Sequence, residues 1–231
     1  MLTHRERTVL GGIPNDWDTT LLRQLLDIDS CIAGDWGDDF GEITLGVLRS
    51  TNITNDGQLS IENAAPRGFS AKKAADLELL ANDLLLERSG GGPDQPVGRV
   101  VLVRTDLPGY GFSNFMLRLR AKDGAIDPRF LYYCLFEVHR SGVVERLQLQ
   151  TTQMRNLDYR DYLRIYVPVP EPAEQRLIAD VLDDADRLLQ VTKSGLGITA
   201  SLHRDQMQGP VSRLKVELMR ALITGQLRLK E

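Results

Sequence analysis

From about Leu21 to Arg120 the apolar positions fall in short runs separated by turn residues, which is the spacing of strands rather than of helices. Ile43 to Leu48, Leu84 to Leu86 and Val100 to Val103 are the clearest runs. Asn55-Asp56-Gly57 and Gly90-Gly91-Gly92-Pro93 punctuate them, because Asp-Gly favours a tight reversal and glycine supplies positive φ. The pattern changes at Pro128. Proline suits a first helical turn, and Phe130, Leu131, Tyr133, Cys134 and Val138 follow at the spacing of one helical face, so a short helix is predicted there. Arg164 to Val169 returns to strand composition, and Pro168, Pro170 and Pro172, which cannot continue a ladder, set a boundary.

Beyond that boundary the period is helical. Glu174 stands in the first turn, and Ile178, Val181, Leu182, Ala185, Leu188 and Leu189 recur at spacings of three and four. Leu214, Leu218, Ala221 and Leu222 resume the stripe before Gly225 closes it. Gly195, Gly197 and Gly209-Pro210 interrupt the middle, so the segment is two helices or one bent helix. A single helix of roughly 50 residues would reach about 75 Å, far beyond the width of the strand-rich part. Its stripe either folds back on its own domain or packs against helices of another chain. The second alternative makes Ile178, Leu182, Ala185, Leu189, Leu214, Leu218 and Leu222 a dimer or subunit interface. The fold class expected is α+β, with one mixed, strand-rich domain over residues 1–172 and a helical spacer and docking region over 173–231.

The chain has 231 residues, 42% hydrophobic and 26% charged, which suffices for a buried core without disulfides or metals. There is no run of about 18 apolar residues and no basic segment leading into an apolar stretch at the start, so a cytoplasmic protein away from membranes is expected. Cys31 and Cys134 lack metal-ligand spacing and read as buried reduced thiols, while His4, His139 and His203 each stand alone. The net charge of -4 counts against a stand-alone nucleic-acid binder, since phosphate contacts supply most non-specific affinity. The acidity is uneven, however. Residues 1–48 carry 3 Lys/Arg against 9 Asp/Glu, whereas residues 49–120 carry 9 against 8. The middle of the chain is free to face a phosphate backbone.

Three pieces, in this order, carry a family resemblance. The first is V-L-R-S-T-N-I-T followed by N-D-G, from Val47 to Gly57. The second runs from Asn82 to Arg99, N-D-L-L-L-E-R-S-G-G-G-P-D-Q-P-V-G-R. The third, V-P-V-P-E-P-A-E-Q-R-L-I-A-D-V-L-D-D-A-D from Val167 to Asp186, leads to L-M-R-A-L-I-T-G-Q-L-R-L ending at Leu229. Together they resemble the specificity subunit of type I restriction-modification enzymes over nearly the whole chain. The resemblance implies a target recognition domain followed by a long helix that spaces it from a second such domain, a unit that full-length members carry twice. This sequence shows the unit once and so resembles a half-length member, which would pair with another copy into a homodimer, or with a second, different half-subunit, to rebuild a two-domain reader of double-stranded DNA; two-fold symmetry in a homodimer would make the site an interrupted palindrome. The resemblance also implies docking to modification subunits, where S-adenosylmethionine would bind, and through them to a restriction subunit. No cofactor is expected on this chain. The Gly209-Pro210 insertion departs from the uninterrupted helix of the family.

Against that background, Arg49-Ser50-Thr51-Asn52 gathers the side chains best shaped for paired bonds to guanine and adenine edges, or else forms a polar capped turn. Arg88, Ser89 and Gly90 open a loop whose glycines let amides approach a phosphate, with Arg99 clamping its flank; the bland alternative is a flexible loop with solvated arginines. No Lys-Ser or Lys-Thr pair follows the glycines, which removes a nucleotide-binding P-loop. Thr151, Thr152, Gln153 and Arg155 lie in a polar stretch that either reads bases or is a solvated connection. Ser113, Asn114 and the Lys72-Lys73 pair are weaker candidates, the lysines for phosphate. Asp38-Asp39 and Asp183-Asp184 lack companions for catalysis, and Asp83 to Glu87 continues with Arg88 where a nuclease pattern wants a lysine one residue later. The expectation is a non-catalytic DNA reader, with a metal-dependent nuclease and a coiled-coil adaptor as rivals.

Overall fold

The computed structural model describes residues 8–54, 56–91, 96–150, 154–195 and 210–229. In chain order the elements are β1 (Asp18–Leu21), α1 (Leu22–Leu25), β2 (Ile43–Leu48), β3 (Ala65–Phe69), α2 (Ala71–Asp76), β4 (Leu84–Glu87), β5 (Ser89–Gly91), β6 (Val100–Leu102), β7 (Tyr110–Phe112) and β8 (Met116–Leu119). Then follow α3 (Pro128–Arg140), β9 (Gln148–Gln150), β10 (Arg155–Leu157), α4 (Tyr159–Tyr162), β11 (Tyr166–Val169), α5 (Pro172–Gly195) and α6 (Pro210–Ile223). The strand runs, the helix at Pro128 and the prolyl boundary therefore sit where the hydrophobic pattern puts them. The fold is mixed α and β.

The continuous apolar run of β4 has a physical cause: the strand is buried on both faces. It is the centre of a sheet with order β6-β4-β8, antiparallel throughout. Leu84 and Leu86 point to one core with Val100, Leu102 and Leu119, while Leu85 and Val101 point to the other. The second core is closed by a sheet of order β3-β2-β7, in which β2 runs parallel to β7. The first is closed by helices. Helix α3 is buried almost all round through Phe130, Leu131, Tyr132, Tyr133, Cys134 and Leu135, and Asp127 caps its start by accepting from Arg129 N–H and Phe130 N–H. Cys134 is fully buried and Cys31 half-buried, both as free thiols.

The helical end differs from a projecting arm. Helices α5 and α6 run antiparallel, since the carboxylate of Asp186 late in α5 pairs with Lys215 early in α6, and Glu174 at the start of α5 pairs with Arg228 just after α6. Ile178 and Leu182 are fully buried in the core that holds α3, and Leu222 joins them from α6. These three pack against their own domain rather than standing as an unpaired stripe. Ala185, Leu189 and Leu218 are half-buried, and Leu214 is exposed. The physical reason is proximity: α3 offers an apolar face within the same chain, and polar contacts fix α5 upon it. Tyr133 Oη lies 2.8 Å from Asp183 and 2.9 Å from Asp186, while Arg129 bonds Asp180 and Asp183 at 2.6 and 3.1 Å. No helix among the described residues is long and apolar enough to cross a membrane.

Candidate nucleic-acid interface

The turn after β2 is built by one side chain. Ser50–Asn52 forms a single 3-10 turn, and Asn52 closes it: Oδ1 accepts Arg49 N–H at 2.8 Å, and Nδ2 donates to the carbonyls of Ser60 and Glu62 at 2.8 and 2.9 Å. Asn52 is buried. The amide expected to meet an adenine edge is thus committed to the chain itself, because three main-chain groups would otherwise be left unpaired. Its neighbours stand outward. Thr51 is exposed, Ser50 and Arg49 half-buried, with Arg49 Nη2 donating to Asn63 O at 2.6 Å.

The glycine segment also begins differently from a free loop. Ser89–Gly91 is strand β5, paired antiparallel with β10, whose other neighbour is β9. Arg155 lies opposite Gly91 and Asn156 opposite Ser89, and Ser89 Oγ donates to Asn156 Oδ1 at 2.6 Å. Arg88 is held by its backbone on both sides, donating to Phe115 O and accepting from Leu157 N–H at 2.8 Å each, while its guanidinium carbon sits 5.8 Å from the centre of the Tyr159 ring. Gly92 lies outside the described residues, as do Thr151, Thr152 and Gln153.

The turn between β7 and β8 joins these two segments. Ser113 N–H donates to Leu48 O, directly before Arg49, and Phe115 O accepts from Arg88. Ser113 itself is fully buried and does not face out, whereas Asn114 and Phe115 are exposed. Residues far apart in sequence, Arg49, Ser50, Thr51, Arg88, Gly90, Asn114 and Arg155, therefore converge. No described carboxylate pairs with Arg49, Arg88 or Arg155. Arg49 Nε, Ser113 Oγ and the Gln148 amide are shielded from water here with no hydrogen-bond partner, a state that native proteins seldom leave unexplained.

Arg99 is engaged within the chain. Its Nε and Nη2 bind the Glu87 carboxylate at 2.8 and 2.9 Å, and its remaining donors reach Ile53 O and Ser50 O. Glu87 is 1% exposed, so releasing Arg99 to DNA would leave a buried charge alone. The nuclease-like stretch is occupied in the same way, since Arg120 binds both oxygens of Asp83 at 2.6 and 2.8 Å. Among the described residues no group of three or more His, Cys, Asp or Glu is placed to hold a metal. Lys72 and Lys73 lie on α2, beside the start of β2, at the end of that strand opposite Arg49; Lys73 pairs with Asp35 at 3.3 Å.

Phe115, Gln148, Tyr159 and the exposed Arg160 lie in the segments that meet at this face and were not singled out from the sequence. The alternation of tyrosine and arginine in Asp158-Tyr159-Arg160-Asp161-Tyr162 was the available signal, since aromatics interleaved with basic residues suit nucleic acid. The motif at the chain's end proves to be a clamp. Glu174 accepts from Trp17 Nε1 and from Arg228, Arg228 also binds Asp16, and Gln175 donates to Pro170 O and accepts from Asp127 N–H. Gly225 adopts φ 68° where a side chain would strike Pro14.

A family model described as the type I restriction modification DNA specificity domain matches residues 38–197. The chain is 24% identical over 229 residues to the specificity subunit of type I restriction enzyme MjaVIII from Methanocaldococcus jannaschii, covering 97% of this chain and 49% of the relative. It is 21% identical to the putative MjaX specificity subunit of the same organism, over 80% of this chain and 43% of that protein. The type I restriction-modification S subunit from M. genitalium shares the fold, with a TM-score of 0.54 at 18% identity over 92% of this chain and 50% of that one. The chain spans about half the length of the curated relatives it matches.

Proposed function

The chain belongs to the type I restriction modification DNA specificity domain family, and on that premise we propose that it reads base sequence in double-stranded DNA through the face carrying Arg49, Thr51, Arg88, Gly90, Asn114 and Arg155. The observation that supports this reading is convergence: four sequence-distant segments present guanidinium, hydroxyl and amide groups on one face, with no described carboxylate against the three arginines. Guanidinium and amide groups pair with base edges, and arginines without a carboxylate partner meet phosphates without breaking an ion pair. Glu87 and Asp83 are engaged by Arg99 and Arg120, which supports a chain that supplies no catalytic group. Methyl transfer and cleavage come from modification and restriction subunits, S-adenosylmethionine binds on the former, and the assembly works in the cytoplasm.

A second recognition unit completes a bipartite reader. The contact between units uses the outer side of the helix pair, where Leu188, Val191 and Leu214 are exposed, because Ile178 and Leu182 are already covered. The test is competition binding by the chain assembled with its modification subunit, using genomic methylation to define the cognate duplex. A strong preference for cognate over scrambled duplex is expected. Equal binding supports an adaptor instead, and metal-dependent cleavage by the chain alone supports a nuclease.

A further inference from the structure

Arg99 occupies an unusual place relative to the proposed reading face. Its side chain is 11% exposed and its fork is filled on both sides, with the Glu87 carboxylate on one and the carbonyls of Ser50 and Ile53, at 3.0 and 2.7 Å, on the other. Glu87 immediately precedes Arg88, and Ser50 immediately follows Arg49. One buried guanidinium therefore ties the carboxylate of the residue before Arg88 to the main chain that follows Arg49. The two segments also lie close: a Cβ added at Gly90 would stand 3.6 Å from Ser50 Oγ.

We infer that Arg99, held by Glu87, is a positioning residue that fixes the separation of the Arg49–Asn52 turn from the strand carrying Arg88, and so determines sequence preference without touching DNA. The inference rests on the proposed reading of that face. Hydrogen bonds tolerate a few tenths of an ångström, so a shift of about 1 Å between the two segments takes one of a pair of base contacts out of range. Only a planar, rigid fork spans a carboxylate and two carbonyls at once; an ammonium is a point charge on a flexible stem.

The test uses the chain assembled with its modification subunit, measuring affinity for cognate and scrambled duplexes together with thermal unfolding. Arg99→Lys keeps the charge opposite Glu87 and removes the fork. It is expected to lower the cognate-to-scrambled ratio about tenfold, the size of one lost paired contact, while affinity for scrambled duplex stays within about twofold. The double variant Glu87→Gln with Arg99→Met removes both charges, leaves no buried ion unpaired, and should show the same reduced ratio. If in the double variant cognate and scrambled affinities fall together and the salt slope drops by about one, Arg99 contacts phosphate and the inference fails. A lower melting temperature with an unchanged ratio makes the pair merely structural and overturns it too. A wild-type complex with no cognate preference overturns the proposed function itself, a failure distinct from these two.

Discussion

Arg88 and Asn52 carry similar polar groups, yet they call for opposite outcomes on substitution. Arg88 is anchored by its backbone and keeps its guanidinium half-exposed over Tyr159, so Arg88→Ala removes a probe of DNA and little else. It is expected to relax base preference at one position, at a cost of about 1 to 3 kcal/mol in cognate binding, with the urea unfolding midpoint unchanged. Asn52→Ala strips partners from Arg49 N–H and from the carbonyls of Ser60 and Glu62. Unfolding in urea should reveal a loss of about 1 to 3 kcal/mol, the cost of leaving buried polar groups unsatisfied. An Asn52→Ala chain as stable as wild type would return that side chain to the list of base readers.

Among the elements, α5 decides the shape of the helical end. Leu182 is fully buried against α3, so Leu182→Asp places a charge in the core and should cost more than about 4 kcal/mol, abolishing the folded circular dichroism signal. Leu188→Asp, on the exposed side, should leave stability within about 0.5 kcal/mol while weakening association of two recognition units by light scattering. Burial pushes the Asp183 carboxyl up, but hydrogen bonds from Arg104, Tyr133 and Arg129, with the charge of Arg104, outweigh it and hold the group below the usual carboxylate range. A depressed folded value stabilises the native state above the ordinary carboxylate pKa of about 4 and loses that contribution as pH falls through the folded value. Acid titration should therefore loosen α5 below pH of about 4. Asp183→Asn should flatten the unfolding curve in that window; an unchanged acid limb assigns the transition to another carboxylate.

For the whole molecule, an acidic chain of net charge -4 has few phosphate contacts to offer, so binding alone should be weak with a shallow dependence on salt. Adding the modification subunit should raise affinity and steepen the slope; equal slopes in both states refute this. The amino-acid sequence by itself determined the strands at Ile43 and Leu84, the helix opened by Pro128, the stop at the prolines before Glu174, and the family, because each rests on local periodicity, turn chemistry or a motif of adjacent residues. Periodicity reports that a helix has an apolar side but not what covers it, so that Ile178 and Leu182 face α3 of the same chain was decided only in three dimensions. The same holds for polar residues. Arg49, Arg88 and Arg99 have equal donors in the sequence, and only the meeting of β2, β4 and the β7–β8 turn leaves two of them without a described carboxylate and commits the third to Glu87, since a buried carboxylate must be paired wherever the chain brings one.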